Sequence, residues 1–200
     1  MFSYNVAPKG RVIVTKEKMG SVRIIAGEWR SRKLPVADIP GLRPTTDRVR
    51  ETLFNWLQHS IVQARCLDLF AGTGALGLEA ASRGAAEVVM IECDRKAFTS
   101  LQQSVELLKT EKVKVSQADA LNWLEKTDQV FDIIFIDPPF DQNLVPETLE
   151  KLMRSSCVKT GTLIYVEEKK QAEEPSLPES LEMIKQGEAG QVRYSLLEAS

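Results

Sequence analysis

The residues best placed to do chemistry are Asp137-Pro138-Pro139-Phe140. They follow directly on the apolar run Phe131-Asp132-Ile133-Ile134-Phe135-Ile136. Such a run reads as a buried strand, here ending at a carboxylate, two prolines and an aromatic ring. Proline has no backbone N–H, so carbonyls beside it are left over by the sheet ladder and can accept from another donor. A carboxylate, spare carbonyls and a flat ring together suit an exocyclic amine on a planar base. They supply acceptors for its N–H groups and a face for stacking. The tetrapeptide reads as the acceptor site of an amino-methyltransferase; alone, it reads as well as a strand-ending Pro-Pro turn with a capping Asp.

A glycine-rich turn lies upstream. Cys66-Leu67-Asp68-Leu69-Phe70 reads as a short strand, Ala71-Gly72-Thr73-Gly74-Ala75-Leu76-Gly77 follows, and Leu78-Glu79-Ala80-Ala81-Ser82 continues with helix formers. The glycines fall as G-x-G-x-x-G between a strand and a helix, the context that gives this spacing meaning. A second strand, Val88-Val89-Met90-Ile91-Glu92, ends in an acid that can accept from both hydroxyls of a ribose. A nucleoside-bearing cofactor is expected, either a nicotinamide dinucleotide or S-adenosylmethionine. A dinucleotide would set its pyrophosphate on the helix N-terminus. Asp68, four residues before Gly72, is unhelpful to pyrophosphate and suits a cofactor carrying sulfonium and ammonium groups. The acceptor tetrapeptide, which a dehydrogenase does not need, also favours S-adenosylmethionine.

With these motifs in view, the chain resembles the RsmD family of bacterial 16S ribosomal RNA (guanine-N2)-methyltransferases. The likeness is carried by Arg23 through Arg30, Gly41 through Phe54, Asp68 through Gly77 and Asp137 through Phe140. It spans residues 21–198 and leaves the first twenty outside. The glycine turn is common to many methyltransferases; the Arg43 to Phe54 segment combined with Asp-Pro-Pro-Phe is more specific. The resemblance implies a Rossmann-like α/β fold with a mostly parallel sheet and a C-terminal antiparallel hairpin. It implies methyl transfer to guanine N2 in 16S rRNA, within the small ribosomal subunit. Asp137, Pro138, Pro139 and Phe140 would then form the catalytic set. Asp68, Phe70, Ala71, Gly72, Thr73, Gly74, Glu92, Cys93, Asp119 and Ala120 would hold the cofactor. Asp119 is equally plausible as a plain helix N-cap. Other readings stay open: adenine-N6 methylation of RNA or DNA, glutamine methylation of a protein factor, and a non-catalytic rRNA-binding assembly factor. Guanine over adenine comes from the resemblance, not from the tetrapeptide.

Charge distribution bears on the partner. Residues 1–50 hold eleven Lys/Arg against four Asp/Glu, and the remainder holds fifteen against twenty-four. A basic N-terminal quarter on an acidic body suits a localised phosphate-binding face, with a solvated basic tail as the plainer alternative. Arg23, Arg30, Arg32, Lys33, Arg43, Arg48 and Arg50 are the expected RNA contacts. Single helix arginines are as readily explained by surface pairs. Three dispersed cysteines and one histidine, His59, point to reduced thiols in a cytoplasm and to no metal site. No apolar stretch approaches membrane-spanning length, and a monomer is expected.

The elements that must position these residues can be read coarsely. Residues 1–20 are an uncertain, flexible tail, with a strand possible at Arg11–Thr15. Residues 21–60 form a basic extension: a hairpin of Val22–Ala26 and Trp29–Leu34, then a helix capped by Thr45 or Thr46 and lying over the cofactor cleft. Residues 61–200 form the methyltransferase domain. Strands are expected near 65–70, 87–92, 113–117, 130–136 and 161–166, and helices near 74–83, 95–109, 118–125 and 144–155. Such alternation means a parallel sheet with helices on both faces. Gly72, Glu92, Asp119 and Asp137 all fall at strand carboxyl ends, where ligands of these sheets bind. Leu181–Lys185 and Val192–Leu197 are expected to pair as a hairpin through Gly187 and Gly190.

Overall fold

Apolar runs rich in β-branched residues become the central strands. A computed structural model describes residues 4–6, 12–14, 20–37, 46–171 and 177–200. Strands β1 (Tyr4–Val6) and β2 (Val12–Val14) pair antiparallel within the segment expected to be a tail. β3 (Gly20–Arg23) and β4 (Lys33–Val36) form a second antiparallel pair, followed by α1 (Asp47–Trp56). The chain then alternates through β5 (Arg65–Asp68), α2 (Ala75–Ser82), β6 (Glu87–Glu92), α3 (Arg95–Leu108), β7 (Val113–Gln117) and α4 (Ala120–Leu124). It continues through β8 (Ile133–Ile136), α5 (Val145–Arg154) and β9 (Leu163–Lys169), and closes with β10 (Leu181–Ala189) and β11 (Val192–Ala199).

Seven strands form one sheet in the order β10-β11-β9-β8-β5-β6-β7. β9, β8, β5, β6 and β7 run parallel, and β10 and β11 close the β9 edge antiparallel. The chain enters at β5, builds outward to β7, then returns to β8 on the other side of β5. The β5/β8 boundary is therefore the switch point, where the carboxyl ends of strands open a crevice.

Strand alternation divides the core in two. Cys66, Ile133, Phe135, Tyr165 and Tyr194 face one side with α1, α2 and α3 residues such as Leu53, Phe54, Leu78 and Leu101. Leu67, Ile91, Ile134, Ile136, Ile164 and Val166 face the other, under Leu124 of α4 and Leu149 and Leu152 of α5. Phe54 and Leu53 are fully buried, each worth about 1.5–3 kcal/mol relative to exposure. No helix among the described residues is long and apolar enough to cross a membrane.

Several boundaries differ from the sequence expectation. Thr46 caps α1, its hydroxyl accepting from Val49 N–H at 3.4 Å. α1 sets Phe54 against Phe135 (ring centroids 6.1 Å apart) and Trp56 against Tyr194 (5.5 Å). It thus packs over β8 and β11 and beside α2, which Arg50 and Phe54 reach through Glu79 and Arg83. The basic hairpin is shorter in its strands than expected, and residues 24–32 form a loop closed by Ser31 N–H to Ile24 O at 2.8 Å. In the closing hairpin Gly190 makes the turn with φ +59°, whereas Gly187 lies inside β10. A Cβ at Gly187 would fall 2.7 Å from the Tyr194 ring, so glycine is there to admit a cross-strand aromatic.

Candidate active site

At the carboxyl rim of the sheet, acids recur strand by strand. In spatial order they are Glu167 on β9, Asp137 after β8, Asp68 ending β5, Glu92 ending β6 and Asp119 after β7. Asp68 and Asp137 stand on adjacent strands that flank the switch point.

The glycine turn occupies the β5/β6 side. Gly72 (φ +52°) and Gly74 (φ +78°) both adopt left-handed backbone, which glycine takes without steric cost. Gly74 caps α2, and its N–H bonds Ala71 O at 2.7 Å. Ala71 and Thr73 are buried and Phe70 is half-buried. The third glycine serves packing: a Cβ on Gly77 would lie 3.0 Å from Met90 and 3.1 Å from Asp68 Oδ2. Gly77 N–H instead donates to Asp68 Oδ2 at 2.9 Å. Asp68, 1% exposed, thus sits beneath the turn, more deeply than a residue on the cofactor rim would. Burial pushes its carboxyl up to about 7; the Gly77 N–H opposes this, while the Asp137 and Glu92 carboxylates add to it. Its Oδ1 has no hydrogen-bond partner among the described residues. A buried carboxylate oxygen left over beneath a glycine turn is chemistry that fits a cationic ligand group above it.

Glu92 holds the turn from the next strand. Its Oε2 accepts Gly72 N–H and its Oε1 accepts Asp94 N–H, both at 2.7 Å. Each oxygen retains a lone pair for a hydroxyl. Cys93 is exposed, and partial burial followed by the Glu92 charge pushes its thiol pKa up, so it is a poor nucleophile there. Asp119 caps α4 through Asn122 N–H at 2.9 Å, and Ala120 is buried behind it.

The Asp-Pro-Pro-Phe tetrapeptide sits on the other side of the switch. Asp137 is half-buried, Pro138 buried, Pro139 exposed and Phe140 half-buried at the start of a single 3-10 turn, Phe140–Gln142. The Pro139 carbonyl takes Gln142 N–H at 3.1 Å, while no donor among the described residues reaches that of Pro138. Pro138, Pro139 and Phe140 wall a cleft of about 180 Å³ completed by Glu167 and Lys169 of β9. Asp137 lies close enough to both Asp68 and Tyr165 for its charge to raise their pKa values, after the larger effect of burial. The glycine turn and the Asp-Pro-Pro-Phe segment thus lie on adjacent strands at the same rim of the sheet.

The basic residues divide. Arg23, Arg30, Arg32, Lys33 and Arg48 are exposed, and Arg23 pairs with Asp47 at 3.0 Å. Ser21, Arg23, Lys33, Thr46, Asp47 and Arg50 border an open cleft of about 450 Å³. Arg43 lies outside the described residues. Arg50 corrects the sequence expectation: it is 2% exposed, bonding Asp47 Oδ1 at 2.5 Å and Arg23 O at 3.0 Å. It is an interior strut, not a phosphate contact.

Sequence reasoning missed Glu79, which anchors the extension. This fully buried carboxylate accepts Ile25 N–H at 2.7 Å and Ala26 N–H at 3.0 Å. It also pairs with Arg83 at 2.7 Å and Arg50 at 3.7 Å. Ser82 adds a contact to Trp29 N–H at 3.0 Å, and Gly27 (φ +83°) has no room for a Cβ, which would fall 1.9 Å from Ser82 O. A single acid inside the apolar stretch Ala75–Ser82 was the available signal. Glu167, also unassigned from sequence, lies within the β9 run and lines the cleft walled by Pro138, Pro139 and Phe140.

Known proteins resemble this chain over most of its length. A family model described as conserved hypothetical protein 95 matches residues 22–198. The chain is 48% identical over 177 residues to ribosomal RNA small subunit methyltransferase D of Escherichia coli K12, covering 88% of this chain and 89% of that protein. It is 43% identical over 189 residues to the protein of the same name from Haemophilus influenzae, covering 92% and 97%. A solved structure from Escherichia coli, described as a candidate methyltransferase, superposes with a TM-score of 0.83 at 43% identity, covering 90% of this chain and 98% of that one. These likenesses place the chain in the RsmD family of methyltransferases.

Proposed function

We propose that this protein transfers a methyl group from S-adenosylmethionine to the exocyclic N2 of a guanine in 16S rRNA of the small ribosomal subunit. The observation that carries the reading is the placement of the glycine turn after β5 and of Asp137–Phe140 after β8, on adjacent strands at the switch point, with Asp137 near enough for its charge to raise the Asp68 pKa. The names borne by relatives in Escherichia coli and Haemophilus influenzae support small-subunit rRNA as substrate.

S-adenosylmethionine, when bound, supplies an electrophilic methyl group on a sulfonium centre. The backbone at Gly72 and Gly74 leaves room for close approach, Glu92 offers acceptor capacity to ribose hydroxyls, and a cationic group above the turn would draw Asp68, whose carboxyl pKa is raised by burial to about 7, into its charged form. On the acceptor side, a guanine N2 is a weak nucleophile because its lone pair is delocalised into the ring. Asp137 and the Pro138 carbonyl accept its two N–H bonds, which localises that pair and aims it across the switch point. The same acceptors stabilise positive charge developing on the nitrogen, often the largest single contribution to such a rate. Phe140 stacks on a base swung out of its helix, worth about 1–3 kcal/mol. Asp137 need not be a strong base, since a methylated ammonium loses its proton readily to water. The exposed Arg30, Arg32 and Lys33 hold the phosphate backbone.

The test is methyl transfer from labelled S-adenosylmethionine to small ribosomal subunits, naked 16S rRNA, DNA and protein in parallel, with the product nucleoside identified by mass spectrometry. Label on guanine N2 of the small-subunit RNA is expected. Label confined to adenine N6, DNA or protein would falsify this reading.

A further inference from the structure

β3 and β4 pair with Arg23 directly opposite Lys33 and Ser21 opposite Pro35, while Val22 and Leu34 between them are buried. Alternation therefore turns Ser21, Arg23 and Lys33 to the outer face of the hairpin. Like charges directly opposite across two strands work against the pairing. Lys33 makes no ion pair among the described residues, so its charge is left unbalanced. Arg23 is balanced by one group, Asp47 at the start of α1. Asp47 Oδ2 pairs with Arg23 at 3.0 Å and its Oδ1 with the buried Arg50 at 2.5 Å. Partial burial works against charge on Asp47, but Arg50 and Arg23 outweigh it and hold the carboxyl below its usual range. Three cations and this one carboxylate, with Ser21 and Thr46, line the open cleft of about 450 Å³. The N-terminus of α1 stands at the cleft through Thr46 and Asp47, where the helix dipole favours an anion. Arg50 lies beneath, 2% exposed, and its Nε has no hydrogen-bond partner among the described residues.

We propose that this cleft takes one phosphate of the substrate RNA backbone, and that Asp47 holds its place in the free protein as a carboxylate the phosphate displaces from Arg23. The inference rests on the reading of this protein as an RNA methyltransferase. A phosphodiester carries one negative charge over two free oxygens, as a carboxylate does, so it can replace Asp47 on the Arg23 guanidinium in kind. Lys33 adds a point charge from the opposite strand. The Thr46 hydroxyl accepts from Val49 N–H and still has its own proton to donate. The pair given up is exposed at both ends (51% and 48%), and such pairs exchange at little cost. Asp47 keeps Arg50, and Arg50 keeps the Arg23 carbonyl, so the strut beneath the hairpin survives the exchange. Arg50 contributes charge from below without touching the occupant. The resident carboxylate also sets a threshold. A free phosphate ion must break the Arg23 pair unaided, whereas a phosphate on a strand also held at Arg30 and Arg32 arrives at high effective concentration. Asp47 thereby makes the cleft selective for a polyanion over a small anion.

Binding of the full chain to naked 16S rRNA and to small ribosomal subunits is measured across a salt series, and binding of inorganic phosphate by calorimetry. Asp47→Asn keeps an oxygen for Arg50 and should tighten rRNA binding about three- to tenfold. In an Arg23→Gln background the same change should gain less than about twofold, because the contested guanidinium is gone. A gain that came from general charge would persist there. Lys33→Gln, at an exposed position, should lower the slope of log K against log salt by about 1. Inorganic phosphate should bind wild type at least about 100-fold more weakly than rRNA does. An Asp47→Asn affinity unchanged or weakened, or an equal gain with and without Arg23, overturns the displacement. Should Asp47→Asn fail to fold, an unaltered slope in Lys33→Gln overturns the cleft on its own. Inorganic phosphate bound within about tenfold of rRNA would make this a site for the free ion and overturn the backbone assignment. Each of these results leaves wild-type rRNA methylation standing, whereas wild-type label confined to DNA or protein removes the RNA partner and this inference together.

Discussion

Replacing Glu79 with alanine should unhook the N-terminal extension from the sheet. The carboxylate is fully buried, and four groups converge on it: Ile25 N–H, Ala26 N–H, Arg83 and Arg50. Removing one partner of a buried ion pair costs about 3–5 kcal/mol, because the other charge stays behind without compensation. Each abandoned N–H adds about 1–3 kcal/mol, although the terms overlap and do not sum. Arg50 keeps Asp47 and the Arg23 carbonyl, and Arg83 lies 4.9 Å over the Phe54 ring, which softens the loss. A net destabilisation of about 4 kcal/mol follows, a large share of the about 5–15 kcal/mol holding a domain of this kind together. Urea unfolding measures the total, and amide hydrogen exchange resolved by peptide locates it, with protection over residues 22–36 lost first. Adding Arg50→Met to Glu79→Ala should restore part of the stability, since an apolar side chain is tolerated where an unpaired guanidinium is not. A Glu79→Ala protein within about 1 kcal/mol of wild type, with exchange over 22–36 unchanged, would refute the anchoring role.

Three further outcomes are expected. Asp137→Ala should lower kcat by about 100-fold or more with little change in S-adenosylmethionine affinity by calorimetry, and normal turnover would remove Asp137 from the chemistry. Asp68 titrates near about 4 when unfolded and near about 7 when folded, so its pKa is raised by folding. Its contribution to stability is therefore complete below about pH 4 and is lost as pH rises through about 7, a swing of roughly 4 kcal/mol. Urea midpoints should show wild type losing stability relative to Asp68→Asn between pH 5 and pH 8 (both about), and parallel curves would contradict this. Neutralising Arg30, Arg32 and Lys33 together should weaken rRNA binding and reduce the slope of log K against log salt by about 2; an unaltered slope would count against phosphate contacts there.

The sheet and the two chemical motifs could be read from residue pattern because each rests on local rules. Near-continuous apolar runs set β5, β6 and β8, glycine spacing set the turn, and Asp94 and Asp119 capped α3 and α4 as acids before helices do. What escaped was decided by contacts distant in sequence. Arg50 looks like any surface helix arginine until Glu79 is brought beneath it from 29 residues away, and Gly187 looks like a turn residue until Tyr194 is laid across it. Glu167 carries no local mark either; its place beside Asp137 follows from the β8/β9 register. Periodicity fixes which face a residue takes but not which residue of another strand it meets.

Helix α2 begins at the left-handed Gly74 of the glycine turn and ends at Ser82, where Ala26 and Trp29 are fastened. Eight helical residues make a rod about 12 Å long. Both ends of that rod are gripped, one by the curl of backbone after β5 and the other by the loop that presents Arg30 and Arg32. Under the proposed function, α2 sets a fixed distance between the basic loop and the glycine turn. Inserting or deleting a residue in α2 would rotate one end against the other by about 100°, uncoupling the loop from the turn while leaving each patch intact.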